Sequence, residues 1–197
     1  MERIIIHWTA GAHRASVEDR KHYHFIIEGN GIVVKGDHPV IANAGTLQSG
    51  KYAAHTLNCN TGSIGVAVAA MAGAEERPFR AGAYPIFPTQ LDALAVLCAD
   101  LCRRYEIPVT RHTVLTHAEV QPTLGIKQRG KWDITWLPGM SSAGDPIKVG
   151  DDLRARITDR LRPLQPPPAP PAPAQPAATV GWWSTFIAAV ARLFRRT

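Results

Sequence analysis

"YHFIIEGNGIVVKG", residues 23–36, sets two apolar runs on either side of "EGNG" and is the clearest hairpin signal in the chain. Upstream, "RIIIHWTAG" (residues 3–11) opens with a short run of β-branched residues, Ile4–Ile6, that reads as a buried strand. Between the two, Ser16 and Asp19 form a capping-box pattern, which predicts a short helix ending near His22. Downstream, "SIGVAVAA" (63–70) is small and apolar enough to be a central strand, and "HTVLTH" (112–117) reads as a fifth.

Two stretches carry helical periodicity. In "PTQLDALAVLCADLCRRYEI" (88–107), Leu91, Leu94, Ala95, Cys98, Leu101, Cys102 and Tyr105 share one face, and Thr89 with Asp92 offers a capping box. In "DDLRARITDRL" (151–161), Leu153, Ile157 and Leu161 do the same. Strands and helices alternating around a hairpin predict an α/β fold of the mixed α+β kind, with a central mixed sheet flanked by helices.

The length of 197 residues suits one domain with an appendage, and 45% hydrophobic residues suit a globular protein. Three cysteines, Cys59, Cys98 and Cys102, are an odd number without a disulfide-framework pattern and read as reduced, packed thiols. From Pro163 to Pro176 eight of fourteen residues are proline, a semi-rigid spacer. The expected organisation is therefore a domain over 1–162, a Pro-rich linker over 163–178 and an amphipathic cationic helix over 179–197.

The net charge is +6, and residues 163–197 hold three arginines and no acid, so half of it lies in the tail. There Trp183, Phe186, Ile187, Val190 and Phe194 fall on one helical stripe, and Arg192, Arg195 and Arg196 gather at the end. The stripe is short against the roughly 20 apolar residues of a membrane span. Tryptophans at one end and arginines at the other suit a helix lying on an anionic membrane surface, with a helix docked on the protein's own domain and a short span as the alternatives. No nucleic-acid motif or basic–aromatic patch is present, so a nucleic-acid partner is not expected. The start "MERIIIHWTAG" shows no secretory signal, which predicts synthesis in the cytoplasm.

Three stretches carry side chains able to bind a metal: His7 in "RIIIHWTAG", His117 in "VLTHAEV" (114–120) and Asp133 in "KWDITW" (131–136). A catalytic zinc site needs three protein ligands and one open position, and a sheet can gather strand ends that are distant in sequence. Lys131 stands two residues before Asp133 and can reach the same cavity. Spacing alone leaves the question open, because a single histidine at a strand end is more often a satisfied core or surface residue.

Taken together and in order, "IHWTA", "YHFIIEGNGIVVKG", "AAH…N…SIGVAV", "THAEV" and "KWD" resemble the zinc N-acetylmuramoyl-L-alanine amidases of the type-2 amidase and peptidoglycan-recognition family, which includes phage endolysins. The resemblance runs from about Arg3 to Leu137. It implies that His7, His117 and Asp133 bind zinc, that Tyr23 and Lys131 occupy the catalytic positions, and that His55 and Asn60 line the substrate groove. It further implies hydrolysis of the amide joining N-acetylmuramic acid to L-alanine in peptidoglycan, by a monomer that acts on the cell wall after release. One departure stands out: family members with aspartate usually continue Asp-Pro-Gly, whereas this chain reads "DITWLPG".

Two other functions remain compatible with the motifs, a cytoplasmic amidase recycling muropeptides and a metal-free peptidoglycan-binding module. The Trp/Arg tail argues against the first, and the complete set of His7, His117, Asp133, Lys131 and Tyr23 against the second. Of the remaining histidines, His24 and His112 are expected to be structural strand residues, and His13, His22 and His38 loop or surface residues. Glu119 is either a partner to His117 or an exposed acid.

Overall fold

The computed structural model describes residues 1–162, so the linker and tail expected from the sequence lie outside the described residues. Five strands form one sheet: β1 (Arg3–Trp8), β2 (Phe25–Ile27), β3 (Val33–Lys35), β4 (Ser63–Val68) and β5 (Val114–Thr116), in the order β3-β2-β4-β1-β5. β2 and β3 pair antiparallel as the hairpin, while β4 runs parallel to both β2 and β1, and β1 runs parallel to β5. The mixed sheet read from the sequence is therefore observed, with "SIGVAV" as its central strand.

Four helices complete the fold: α1 (Val17–His22), α2 (Pro88–Tyr105), α3 (His117–Leu124) and α4 (Pro146–Leu161). α1 begins at the expected capping box, with Ser16 Oγ accepting from Asp19 N–H at 3.0 Å and Asp19 Oδ2 accepting from Ser16 N–H at 2.8 Å. On one face of the sheet Ile4, Ile6, Trp8, Ile64, Val66 and Val68 pack against Leu91, Leu94, Ala95 and Cys98 of α2 and Leu153 and Ile157 of α4. Burying such side chains stabilises the fold by roughly 1.5–3 kcal/mol each. On the other face Ile5 meets Cys59 and Val120 of α3. Helices thus cover both faces, and the three cysteines are unpaired and buried.

Three local expectations need correction. α2 begins at Pro88, and its first turn is closed by Gln90, whose Oε1 accepts from Phe87 N–H at 3.0 Å. Thr89 is inside the helix and donates to Gly29 O, so Thr89–Asp92 is not the cap. β5 is only three residues long: His112 stands in a turn before it, and His117 opens α3 instead of closing the strand. Proline at a first helical turn is pre-organised, which is why α4 starts at Pro146 rather than Asp151, capped by Asp145 Oδ1 accepting from Lys148 N–H at 2.9 Å. Tyr23 terminates α1, its N–H donating to Asp19 O at 2.9 Å.

Candidate metal centre and substrate cleft

Parallel pairing puts the C-terminal ends of β1 and β5 on the same side of the sheet, where open α/β sheets form their ligand crevices. His7 is the penultimate residue of β1, and His117 follows β5 as the first residue of α3. A helix start leaves backbone N–H groups without intrahelical partners. One of them, Ala118 N–H, donates to Asp133 O at 2.6 Å and pins the "KWD" segment beside His117. Trp132 anchors the same segment, its ring 4.6 Å from that of Trp8 at the end of β1.

The result is a convergence of three buried donors. His7 Nδ1 lies 3.0 Å and His117 Nδ1 3.1 Å from the same oxygen, Asp133 Oδ2. All three ligand atoms lie within 4.8 Å of one another. Burial brings His7 down to about 4, so its ring is neutral at physiological pH. Burial would push the Asp133 carboxyl up, but the two imidazole rings beside it outweigh burial and bring the group down to about 2.

The donor set fits zinc by its own chemistry. Two imidazole nitrogens and one carboxylate oxygen beside a cleft are the donor types of an open zinc site. The outer ring atom of His117 gives a second, independent reason. Gln128 Nε2 donates to Leu57 O at 2.9 Å, which turns its Oε1 toward His117 Nε2, also at 2.9 Å. His117 Nε2 then carries the proton of that bond, and in the tautomer with its one proton there Nδ1 turns a lone pair toward Asp133 Oδ2. Two acceptors 3.1 Å apart in that tautomer make an arrangement that a cation between them would satisfy.

A cleft of about 480 Å³ opens above this centre, lined among others by Trp8, Tyr23, Tyr52, His55, Asn60, Gln128, Arg129 and Lys131. The Tyr23 ring stands 5.2 Å from that of His7. Burial, and then the Asp133 charge, push its phenol above its ordinary value, so it stays protonated and can donate but not act as a base. Lys131 is exposed at the cleft wall. His55 is buried; its Nδ1 lies 2.8 Å from Thr56 Oγ1 and 3.3 Å from His7 Nε2, and burial holds it well below its ordinary value. Asn60 lines the cleft, but its Oδ1 accepts from the N–H groups of both His55 (3.0 Å) and Thr56 (2.8 Å), so it braces the loop that carries them.

Six of the seven residues singled out in the sequence line one cleft, and the seventh, His7, is buried behind it against Asp133 and His55. Glu119 is not exposed: it is fully buried and bonded to Arg154. Sequence reading missed Gln128 and Thr56, which contact the outer ring nitrogens of His117 and His7. Gln128 lies in no periodic or motif-bearing stretch, and Thr56 lies between the motif residues His55 and Asn60. Among the described residues no helix is long and apolar enough to cross a membrane.

Residues 1–139 match the family described as N-acetylmuramoyl-L-alanine amidase. No curated protein matches the chain. Among solved structures, the chain is similar to the N-acetylmuramoyl-L-alanine amidase LysC from Clostridium intestinale URNW, at 16% identity, covering 80% of this chain and 85% of that one, with a TM-score of 0.49. It is also similar to the Ph2119 endolysin from Thermus scotoductus MAT2119 bacteriophage Ph2119, at 17% identity over 78% and 84% of the two chains, with a TM-score of 0.44. The N-acetylmuramyl-L-alanine amidase AmiD from E. coli matches at 21% identity over 60% of this chain and 48% of that one, with a TM-score of 0.41.

Proposed function

The chain belongs to the N-acetylmuramoyl-L-alanine amidase family, and from that premise we propose that this peptidoglycan amidase is zinc-dependent and cleaves the amide between the lactyl group of N-acetylmuramic acid and L-alanine. The observation that carries the zinc reading is the shared oxygen: two imidazole Nδ1 atoms within 3.1 Å of Asp133 Oδ2 at the base of an open cleft.

His7, His117 and Asp133 would hold the ion. Zinc bound there supplies Lewis acidity, which lowers the pKa of water to about 7 and makes a nucleophile at neutral pH. The Lys131 ammonium opposes the negative charge that develops on the carbonyl oxygen as the amide is attacked, an interaction that is stronger in the transition state than in the ground state. The Tyr23 phenol, kept protonated by burial, donates a hydrogen bond that orients the attacking water or the carbonyl. Arg129 and Lys131 give the cleft a cationic wall suited to an anionic stem peptide. His55 contributes to the groove wall.

The cationic Trp/Arg tail on a proline spacer supports reading the enzyme as a phage or prophage endolysin, made in the cytoplasm and acting on the cell wall after release. The test is metal content of the purified protein together with the groups released from peptidoglycan. One zinc per chain and new L-alanine amino termini are expected, and His117→Ala should lose both while remaining folded. Full cleavage by metal-free protein, or new reducing sugar ends in place of amino termini, overturns the reading.

A further inference from the structure

We infer that Gln128 is the positioning residue of the metal centre: its side-chain amide fixes which nitrogen of His117 faces the ion, and links that ring to the groove loop at Leu57. The inference rests on the zinc reading above.

The local chain explains how Gln128 reaches the ring. α3 starts at His117 and ends at Gly125, whose φ of 73° reverses the backbone at the helix C-terminus. Gln121, one turn before that end, uses its Oε1 to accept from Gln128 N–H at 3.0 Å, which folds residues 126–128 back beneath the start of the helix. Gln128 is thereby 3% exposed although it lies in the polar stretch "KQRGK".

Its amide orientation is set by its partners. Nε2 faces two carbonyls, Leu57 O at 2.9 Å and Ile126 O at 3.4 Å, and carbonyls only accept. Oε1 is left for His117 Nε2 at 2.9 Å. An imidazole has one proton in its neutral form, so a proton held at Nε2 reserves the lone pair of Nδ1 for a metal. The same bond fixes the ring plane. Partners of this kind typically contribute about 10–100-fold in metal affinity.

Leu57 belongs to the loop held by Asn60, which also carries His55 and Thr56. Thr56 Oγ1 lies 3.4 Å from His7 Nε2. The outer nitrogens of both metal-facing histidines therefore meet groups tied to the 55–60 loop. Thr56 carries a hydroxyl that can donate or accept, so it does not select a tautomer for His7. Gln128 does so for His117, because its amide cannot turn round without setting N–H groups against the ring N–H and a carbonyl oxygen against Leu57 O.

Two variants separate positioning from simple packing. Gln128→Met keeps the length of the side chain and removes both its acceptor and its donors. Gln128→Glu keeps an acceptor for His117 Nε2–H and loses the bond to Leu57 O. Zinc dissociation constants are measured by competition with a chelator, with thermal melting of the zinc-free proteins as the control for folding. Zinc binding weakened about 10–100-fold in Gln128→Met and within a few-fold of wild type in Gln128→Glu supports the inference. Equal weakening in both variants assigns the residue to packing of the loop and overturns it, as does wild-type affinity in Gln128→Met. Failure of the wild-type protein itself to bind zinc refutes the metal reading instead.

Discussion

Gly65 on β4 leaves the space that the His55 ring occupies: a Cβ at position 65 would stand 2.5 Å from His55 Cδ2 and 2.6 Å from Cγ. The ring also faces His7, so a displaced ring presses toward the metal centre or into the cleft it lines. Gly65→Ala is expected to destabilise the fold by about 1–3 kcal/mol through overpacking and to weaken zinc binding. Adding His55→Ala should recover most of the stability, a coupling that a double-mutant cycle measures. An unaltered melting temperature and zinc affinity in Gly65→Ala would show that the ring has another place to go.

Lys131 and Tyr23 line the cleft without being members of the three-donor set. Lys131→Ala should keep its zinc and lose about 10²–10³-fold in kcat, the usual scale for an oxyanion-stabilising group. KM should change little, because the charge that Lys131 opposes arises only as the carbonyl is attacked. Tyr23→Phe should likewise retain zinc and lose turnover. Steady-state kinetics on a muramoyl-peptide substrate checks both, and a change confined to KM would make Lys131 a binding group.

His24 couples stability to pH. Its Nε2–H donates to Asn43 Oδ1 at 3.1 Å and its Nδ1 accepts from Gly65 N–H at 2.9 Å, so a second proton has no room. Burial holds the ring down at about 4, against 6.5 in the unfolded chain. Between those values the unfolded state binds more protons, so stability falls as pH drops from about 6.5 to about 4 and is fully present above 6.5. The contribution is on the order of 3 kcal/mol. Urea unfolding across that range should show a shallower pH dependence in His24→Asn than in wild type.

Much of this arrangement was legible in the sequence because strand-forming runs, the hairpin and the α2 stripe are local patterns. The metal-binding candidates were legible as residue types, and the family motifs supplied their grouping. What the sequence concealed is tertiary. His117 looks like the end of a strand, yet Thr116 N–H donates to Glu119 Oε2 and turns the chain into a helix at that residue. Gln128 lies in a polar stretch that reads as solvent-facing, and only the reversal at Gly125 buries it. Buried polar groups satisfied by distant partners, such as Asn43 with His24 and Ala53, leave no periodic trace.

The start of α3 is braced by a buried ion pair. Arg154 of α4 donates to Glu119 Oε1 at 2.8 Å, to Glu119 Oε2 at 3.1 Å and to Val114 O at 2.8 Å, and Gly150 on the same helix leaves room for the carboxylate. Removing one partner leaves the other charge buried, a loss typically of about 3–5 kcal/mol. Arg154→Leu should therefore cost about that much in urea unfolding. Arg154→Leu combined with Glu119→Leu should cost less than Arg154→Leu alone, because no charge is then stranded. A double variant as unstable as the sum of the singles would contradict the pairing argument.

Residues 163–197 lie outside the described residues, and their sequence separates the tail from the candidate site. All seven candidate site residues fall within 1–162, so a chain ending at Arg162 should hydrolyse isolated peptidoglycan about as fast as the full chain. Vesicles should separate the two proteins. Trp183, Phe186, Ile187, Val190 and Phe194 supply apolar surface, and the three arginines add roughly 1 kcal/mol each near an anionic leaflet. Together the arginines correspond to about a 100-fold gain in affinity, which added salt should erode by screening. The full chain should accordingly sediment with vesicles containing anionic lipid, more weakly as salt rises, while the shortened chain stays in solution. It should also lyse intact Gram-negative cells from outside better than the shortened chain does. Equal vesicle binding by the two proteins would remove the membrane role, and lysis would then depend on the amidase domain alone.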